Sequence, residues 1–331
     1  MDTRRLGNNH LEVSAIGLGC WGMSHAYGPA DEKESLATME MALDLGINFF
    51  DTADVYGSGQ NETLIAKVLK NRGQDMIIAT KFGFVGDEHG TVRVCGRPEY
   101  VTAACDKSLQ RLGVDVIDLY YLHRRDPQVP IEETVGAMAD LVTEGKIRTI
   151  GLSEVSTATL RRAHAVHPVT ALQSEYSLWY RDVEQTILPA CQELGVSLVP
   201  FCPLGRGYLT GNFCTVDDFK EGDYRRAIPR FAAEAMHRNR GLLSRLNHLS
   251  RTSGHTPAQL AIAWLLAKDP SIVPIPGMKR RRHLTENVTA AAIRLSPETI
   301  EALDVLGDQV AGERHNAYNL QFVDHEKSVH P

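Results

Sequence analysis

Eight short apolar runs, at residues 15–19, 47–50, 76–80, 116–122, 147–151, 170–173, 196–201 and 272–275, alternate with eight amphipathic segments. The runs read as strands, and the segments, at about 32–45, 61–71, 98–112, 131–144, 156–166, 183–194, 256–268 and 281–291, carry helical spacing. Boundary signals agree: Pro98-Glu99 and Pro257 open helices, Ser156 or Thr157 caps another, and Gly46, Gly113, Gly145 and Gly195 punctuate helix ends before strands. Eight strand–helix pairs with no linker predict one α/β domain over residues 1–331, a (β/α)₈ or TIM barrel. A doubly wound open sheet is the competing arrangement. Ahead of the barrel, residues 4–14 read as a hairpin around a Gly7-Asn8-Asn9 turn.

Two stretches depart from the alternation. Some fifty residues separate the seventh strand, ending near Phe201, from the helix near Thr256, with helical character around 232–252. This long loop between the seventh barrel strand and the seventh barrel helix suggests a lid or an extra subdomain. After the last barrel helix come a short helix, Pro297 to Leu306, and a tail carrying Tyr318 and Phe322. The tail is expected to close over the barrel mouth or to be disordered.

A net charge of −6 supplies no global field for nucleic acid or an anionic membrane. The six cysteines are scattered without a C-x-x-C pair, as expected of reduced thiols in a cytoplasmic protein. The first residues lack an apolar signal core, and no apolar stretch approaches the length of a membrane span.

Three successive strands end in titratable residues: Asp51, Lys81 and His123, with Tyr56 on the loop after the first. On a barrel these ends face one rim, where active sites are built. Alone, Asp51 and Tyr56 read as a turn cap beside a loop tyrosine, or as half of an acid–base site. Together the four suit a carbonyl: an ammonium beside a phenol lowers its pKa, a carboxylate holds the ammonium, and an imidazole polarises the oxygen. The site lacks an electron source. There is no G-x-S-x-G elbow and no metal cluster, and His164 and His167 sit at a helix end where the dipole explains them. A hydride must come from outside. Gly17-x-Gly19-x-x-Gly22 matches a dinucleotide fingerprint, yet its third glycine does not open a helix; it reads as a strand end where a ligand or backbone approaches closely.

With these residues in view the chain resembles the aldo-keto reductase superfamily over nearly its whole length, in the branch of bacterial and plant reductases that is also related to potassium-channel β-subunits. The likeness rests on Gly46 to Ala53 with Tyr56, Lys81 and His123, on Gly145 to Arg148 running to Gly151-Leu152-Ser153-Glu154, and on Gln173 to Ser177. It extends to Pro203 to Gly211 and to Ile275-Pro276-Gly277 with Glu286-Asn287. The resemblance implies NADPH extended across the barrel mouth, Tyr56 as general acid, Lys81 lowering its pKa, Asp51 pairing Lys81, and His123 orienting the carbonyl. It further implies that Ser153 and Gln173 hold the nicotinamide carboxamide and Phe201 stacks on the ring, with Trp21 and Asp51 at the same end. Pro203, Leu204, Gly205, Arg206, Gly207 and Gly211 would wrap the pyrophosphate, Gly277 would join the clamp, and Glu286 and Asn287 would meet the adenine.

The basic run Lys279 to Arg282 before the final helix suits a 2′-phosphate and hence NADP. Two positions depart from the family pattern. Glu154 replaces a common asparagine, and His283 stands where relatives carry an arginine, so the phosphate grip shifts toward Lys279 and Arg280. Trp21, Tyr27, Val55, Phe84 and Arg124 are the candidate substrate wall. Arg124 either meets an anionic or polar substrate or pairs with Asp54 or Asp126. The expected partner is a small carbonyl compound, with no nucleic acid and no membrane. A nucleotide-binding β-subunit-like protein with little turnover is the alternative; those relatives carry an N-terminal extension, whereas the hairpin here starts by about residue 4. A redox sensor using Cys20 or Cys202 is a third option.

Overall fold

In the computed structural model, residues 1–8, 11–24, 27–86, 92–307 and 309–324 are described. The chain opens with an antiparallel hairpin, β1 (Thr3–Leu6) and β2 (Leu11–Ser14); Asn9 of the expected turn lies outside the described residues. Seven parallel strands follow in one sheet. They are β3 (Leu18–Gly19), β4 (Phe49–Asp51), β5 (Ile77–Phe82), β8 (Ile117–Leu122), β9 (Ile147–Ser153), β10 (Val169–Glu175) and β11 (Ser197–Phe201). A second hairpin, β6 (Phe84–Gly86) with β7 (Val92–Val94), rises from the end of β5; sequence reasoning did not anticipate it.

The eighth predicted strand closes the barrel without forming a regular ladder. Val273 and Ile275 donate to Leu198 and Pro200 on one side, while Gly17 and Gly19 donate to Pro274 and Pro276 on the other. Both prolines lack the N–H that a second set of bonds toward β3 would need, so this edge is half-bonded. Closure also demands close approach: a Cβ on Gly19 would lie 2.7 Å from the Ile275 carbonyl oxygen. Those glycines therefore admit a neighbouring backbone, and no dinucleotide turn forms there. The strand end runs into a single 3₁₀ turn, Trp21–Met23, and α1 begins only at Glu32.

Helices α1 (Glu32–Asp44), α2 (Gln60–Arg72), α3 (Pro98–Leu112), α4 (Ile131–Thr143), α5 (Thr157–Val166), α6 (Ile187–Leu194), α7 (Ala233–Ser253), α8 (Pro257–Lys268), α9 (Arg281–Thr289), α10 (Pro297–Asp304) and α11 (Ala317–Leu320) complete the element order. The expected helix over 183–194 begins late, since 182–184 form a separate 3₁₀ turn. No helix among the described residues is long and apolar enough to cross a membrane.

Two apolar layers hold the barrel. Outward-facing residues such as Phe50, Ile78, Tyr120 and Leu172 pack under the helices. Inward-facing Phe49, Ala79, Leu119, Tyr121, Ala171, Val199 and Val273 fill the lumen, and Leu6 and Val13 of the hairpin plug its lower end. Side chains alternate along each strand, so the next inward positions are Asp51, Lys81, His123 and Gln173. Register aligns them: Asp51 pairs Ala79, Lys81 pairs Tyr121, and Tyr121 pairs Gly151. A Cβ on Gly151 would lie 2.3 Å from the Tyr121 ring, so the glycine is what lets that tyrosine fill the lumen beneath the site.

Candidate active site

Asp51, at the end of an apolar strand, is 2% exposed and both its oxygens are met. Lys81 Nζ donates to Oδ1 at 2.5 Å and Gln173 Nε2 to Oδ2 at 2.7 Å. Lys81 is fully buried; its ammonium also donates to the Thr52 carbonyl at 2.7 Å and reaches the Tyr56 hydroxyl at 3.4 Å. Burial pushes the Asp51 carboxyl up and the Lys81 ammonium down, and each charge limits the other's shift.

The Tyr56 phenol is held well above its ordinary pKa, first by burial and then by the Asp51 charge. The expected lowering by Lys81 is not what the resting site shows. With Asp51 at 2.5 Å the ammonium presents the phenol with an almost neutral pair rather than a bare cation. The phenol therefore keeps its proton at neutral pH. His123 stays neutral for the complementary reason: burial, then the Arg124 and Lys81 charges, hold its pKa well below the usual histidine range. Its ring lies edge-on to Tyr56 with centroids 5.9 Å apart, and its Nδ1 has no protein partner.

Asn61, which sequence reasoning missed, anchors the Tyr56 loop. Buried on the first turn of α2, it accepts from Thr52 Oγ1 at 2.7 Å and donates to the Cys20 carbonyl and Ser24 Oγ, each at 2.9 Å. Its own backbone N–H donates to the Tyr56 carbonyl at 3.2 Å. Nothing in a single asparagine at a helix start signals this role, because its partners come from two loops, those after β3 and β4.

Tyr56 and His123 line a cleft of about 1240 Å³ that crosses the mouth and runs to the start of α9. Trp21, Tyr27, Val55, Phe84 and Arg124 all line it, as do Asp51, Ser153, Gln173, Phe201, Pro203, Leu204, Arg206, Gly207, Gly277, Lys279, Arg280, His283, Glu286 and Asn287. Lys81 lies behind the wall. Gly205 and Gly211 do not reach the cleft: Gly205 lies against the Trp179 indole, and Gly211 ends its turn beside Asn247. The long loop is built from short 3₁₀ turns, pinned by Arg225, which pairs with Asp223 at 2.7 Å and lies over the Phe213 and Phe219 rings.

The basic run divides. Arg281 turns away to pair with Glu34 at 2.9 Å. Lys279 is occupied by the carbonyls of Tyr27, Gly28 and Pro29, so it ties the first loop to the eighth rather than offering a free ammonium. Arg280, Arg282 and His283 remain at the cleft's far end, and neither arginine forms an ion pair among the described residues.

The tail folds over the mouth. Glu154, with φ +53°, spends both oxygens on structure: one accepts from the Glu175 N–H, the other from Arg314. It is therefore a tether for the tail in the resting site. Asp324 accepts from the Ser156 N–H at 3.1 Å and pairs Arg125 at 3.1 Å. Tyr318 donates to the Val92 carbonyl at 2.7 Å, and Phe322 meets Phe84 edge-on at 5.6 Å. His315, Asn319 and Tyr224 also line the cleft and were missed; their polar or aromatic types are common in loops and carry no spacing signal. Burial pushes the Cys202 thiol up to about 11 and the Cys20 thiol higher still, so neither is a thiolate near neutrality. Among the described residues no metal-ligating cluster occurs.

The Aldo/keto reductase family model matches residues 15–308. A protein named probable aldo-keto reductase 1, from Glycine max, is 45% identical over 318 residues, covering 94% of this chain and 91% of the relative. Among solved structures, the glycerol dehydrogenase of Gluconobacter oxydans matches with a TM-score of 0.84 at 26% identity, covering 94% of this chain and 98% of that one. An aldo-keto reductase from Bacillus halodurans in its holo form matches with a TM-score of 0.78 at 30% identity, covering 95% and 99%. The chain belongs to the aldo/keto reductase family, whose general activity is NAD(P)H-dependent carbonyl reduction.

Proposed function

We propose that this protein is an NADPH-dependent carbonyl reductase that converts an aldehyde or ketone to an alcohol, with Tyr56 as the proton donor. The observation that carries the reading is the Tyr56–Lys81–Asp51 chain, with contacts of 3.4 and 2.5 Å, opening beside a neutral His123 onto the cleft.

The residues present suit a nicotinamide dinucleotide. A long cleft links the proton donor to a far end where Arg280 and Arg282 have no carboxylate partner among the described residues, a donor set suited to an additional phosphate. Ser153, Gln173 and Phe201 would hold the nicotinamide end, Pro203, Leu204, Arg206 and Gly207 the pyrophosphate, and Arg280, His283, Glu286 and Asn287 the adenosine end. When bound, the cofactor supplies the hydride that reaches the carbonyl carbon. The protein's part is the proton. His123 donates to the carbonyl oxygen and orients it; the Tyr56 phenol then passes its proton to that oxygen. Lys81, already directed at the phenolic oxygen, stabilises the phenolate as it forms, and Asp51 keeps the lysine charged. A phenol protonated at rest is poised for reduction; alcohol oxidation needs the phenolate and becomes favourable at higher pH.

The test is cofactor oxidation against a panel of aldehydes and ketones, with NADPH and NADH compared. Tyr56→Phe keeps the ring and removes the proton, so turnover should fall by at least about 10²-fold while NADPH affinity holds. Retention of most activity by that variant would refute the mechanism. Tight NADPH binding without multiple turnover of any carbonyl would instead favour a nucleotide-binding regulatory protein.

A further inference from the structure

Arg124 is a buried cation without an ion-pair partner among the described residues. It is 9% exposed, lines the cleft beside His123, and forms no ion pair with Asp54, Asp126 or any other described carboxylate. One nitrogen, Nη1, donates to the His123 carbonyl at 2.6 Å and to Ser153 Oγ at 3.1 Å; its remaining side-chain nitrogens make no hydrogen bond among the described residues. The surroundings offset that charge only in part, through the nearby Glu154 carboxylate. Four buried guanidiniums, of Arg124, Arg206, Arg230 and Arg314, surround two buried carboxylates, Glu154 and Glu175. Glu154 is committed to Arg314, and Glu175 already faces Arg206 at 3.5 Å, Arg314 at 3.5 Å and His315 at 3.7 Å. His315 is 6% exposed and lines the same cleft, and neither of its ring nitrogens has a hydrogen-bond partner among the described residues.

A guanidinium kept out of water and only partly neutralised is costly unless a ligand arrives to pair with it. The cofactor phosphates proposed above lie toward Arg280 and Arg282, whereas Arg124 stands next to the residue that orients the carbonyl. A planar guanidinium edge with a neutral imidazole nearby matches a planar, two-oxygen anion. The rest of the wall, Trp21, Tyr27, Val55 and Phe84, is aromatic or apolar and suits the carbon skeleton.

We propose that the substrate is an oxo acid, an aldehyde or ketone bearing a carboxylate that pairs with Arg124, with His315 lining the same subsite. This rests on the carbonyl-reductase reading and narrows it to a substrate class. The competing view is that Arg124 only orients Ser153 within the cofactor site.

The two views separate on a matched pair: 4-oxobutanoate and its methyl ester, which present the same aldehyde with and without the charge. With NADPH in excess, the wild-type protein should favour the acid over the ester by at least about tenfold in kcat/KM. In Arg124→Gln that ratio should fall by about 10- to 100-fold, and Arg124→Lys should restore part of it. The ratio is internal to each preparation, so loss of folded protein cancels. A wild-type ratio at or below unity overturns the proposal. So does an Arg124→Gln variant that loses acid and ester activity equally, as a purely Ser153-orienting role requires. 4-Nitrobenzaldehyde serves as a neutral reference: reduction of it without acid preference defeats only this inference, whereas failure to reduce any of the three defeats the carbonyl-reductase reading as well.

Discussion

Asp51→Asn tests the arrangement at its most buried point. The substitution keeps the shape of the side chain and removes the counterion of Lys81, an ammonium with no exposed surface. What remains around it is the Thr52 carbonyl at 2.7 Å and the Tyr56 hydroxyl at 3.4 Å, neither of which carries charge. Breaking a buried pair in this way costs about 3–5 kcal/mol at neutral pH. Unfolding entropy of about 2.1 cal/mol/K per residue gives roughly 0.7 kcal/mol/K for 331 residues, so the melting temperature should fall by about 4–7 °C.

The pH dependence has a definite sign. Burial already holds the Lys81 pKa below its ordinary value, and removing Asp51 lowers it further. The folded variant then binds fewer protons than the unfolded chain between that lowered pKa and the ordinary lysine value. Its stability must rise with pH through that window. Adding Lys81→Met should recover much of the loss, because a well-packed apolar pair tolerates what a lone charge does not. Chemical denaturation of the two single variants and the double variant at pH 7 and pH 9.5 measures all of this. A loss under about 1 kcal/mol for Asp51→Asn, or a double variant less stable than Asp51→Asn alone, would show that Lys81 is not held as a buried charge.

Two further outcomes follow from the same geometry. His123 is neutral across the physiological range, so kcat/KM should show no inflection from it between pH 5 and 8; His123→Ala should lower kcat by about 10²–10³-fold, as expected for a lost donor to the carbonyl oxygen. An inflection near pH 6.5 that disappears in that variant would mean the imidazole titrates during turnover. Arg314→Met strips Glu154 of its ion-pair partner and should loosen residues 309–324, seen as faster limited proteolysis of the tail; an unchanged cleavage rate would place the tail's anchorage elsewhere, at Asp324 or Tyr318.

Much of the barrel was legible because its signals are local. Short apolar runs, proline starts and glycine stops lie within a few residues of what they specify, and the observed α3 and β8 fall close to the expected spans. The eighth strand was visible as an apolar run, but its half-bonded edge depends on which neighbour each proline faces, a matter of closure. The β6–β7 hairpin and the anchoring of the tail through Glu154 and Asp324 were not visible. The tail's anchorage depends on partners more than a hundred residues away, which no window of sequence contains; the hairpin is local, Phe84 pairing with Val94, but its strands are too short to carry an apolar alternation that marks them.

Strand ends occupied by Asp51, Lys81 and His123, with Tyr56 five residues beyond the first, were already determined by the linear order, since alternation along parallel strands sends equivalent positions to one rim. Tertiary structure decided what those groups are. Only the 2.5 Å contact makes Lys81 half of a neutral pair instead of a free cation; burial and the Asp51 charge push the phenol further up, and burial with the Arg124 and Lys81 charges pushes the imidazole well down. It likewise decided that Glu154 tethers the tail, that Lys279 bridges two loops, and that Arg124 lines the cleft without an ion-pair partner among the described residues. Residue identity sets which groups can ionise; distance and desolvation, which exist only once the chain has closed, set whether they do.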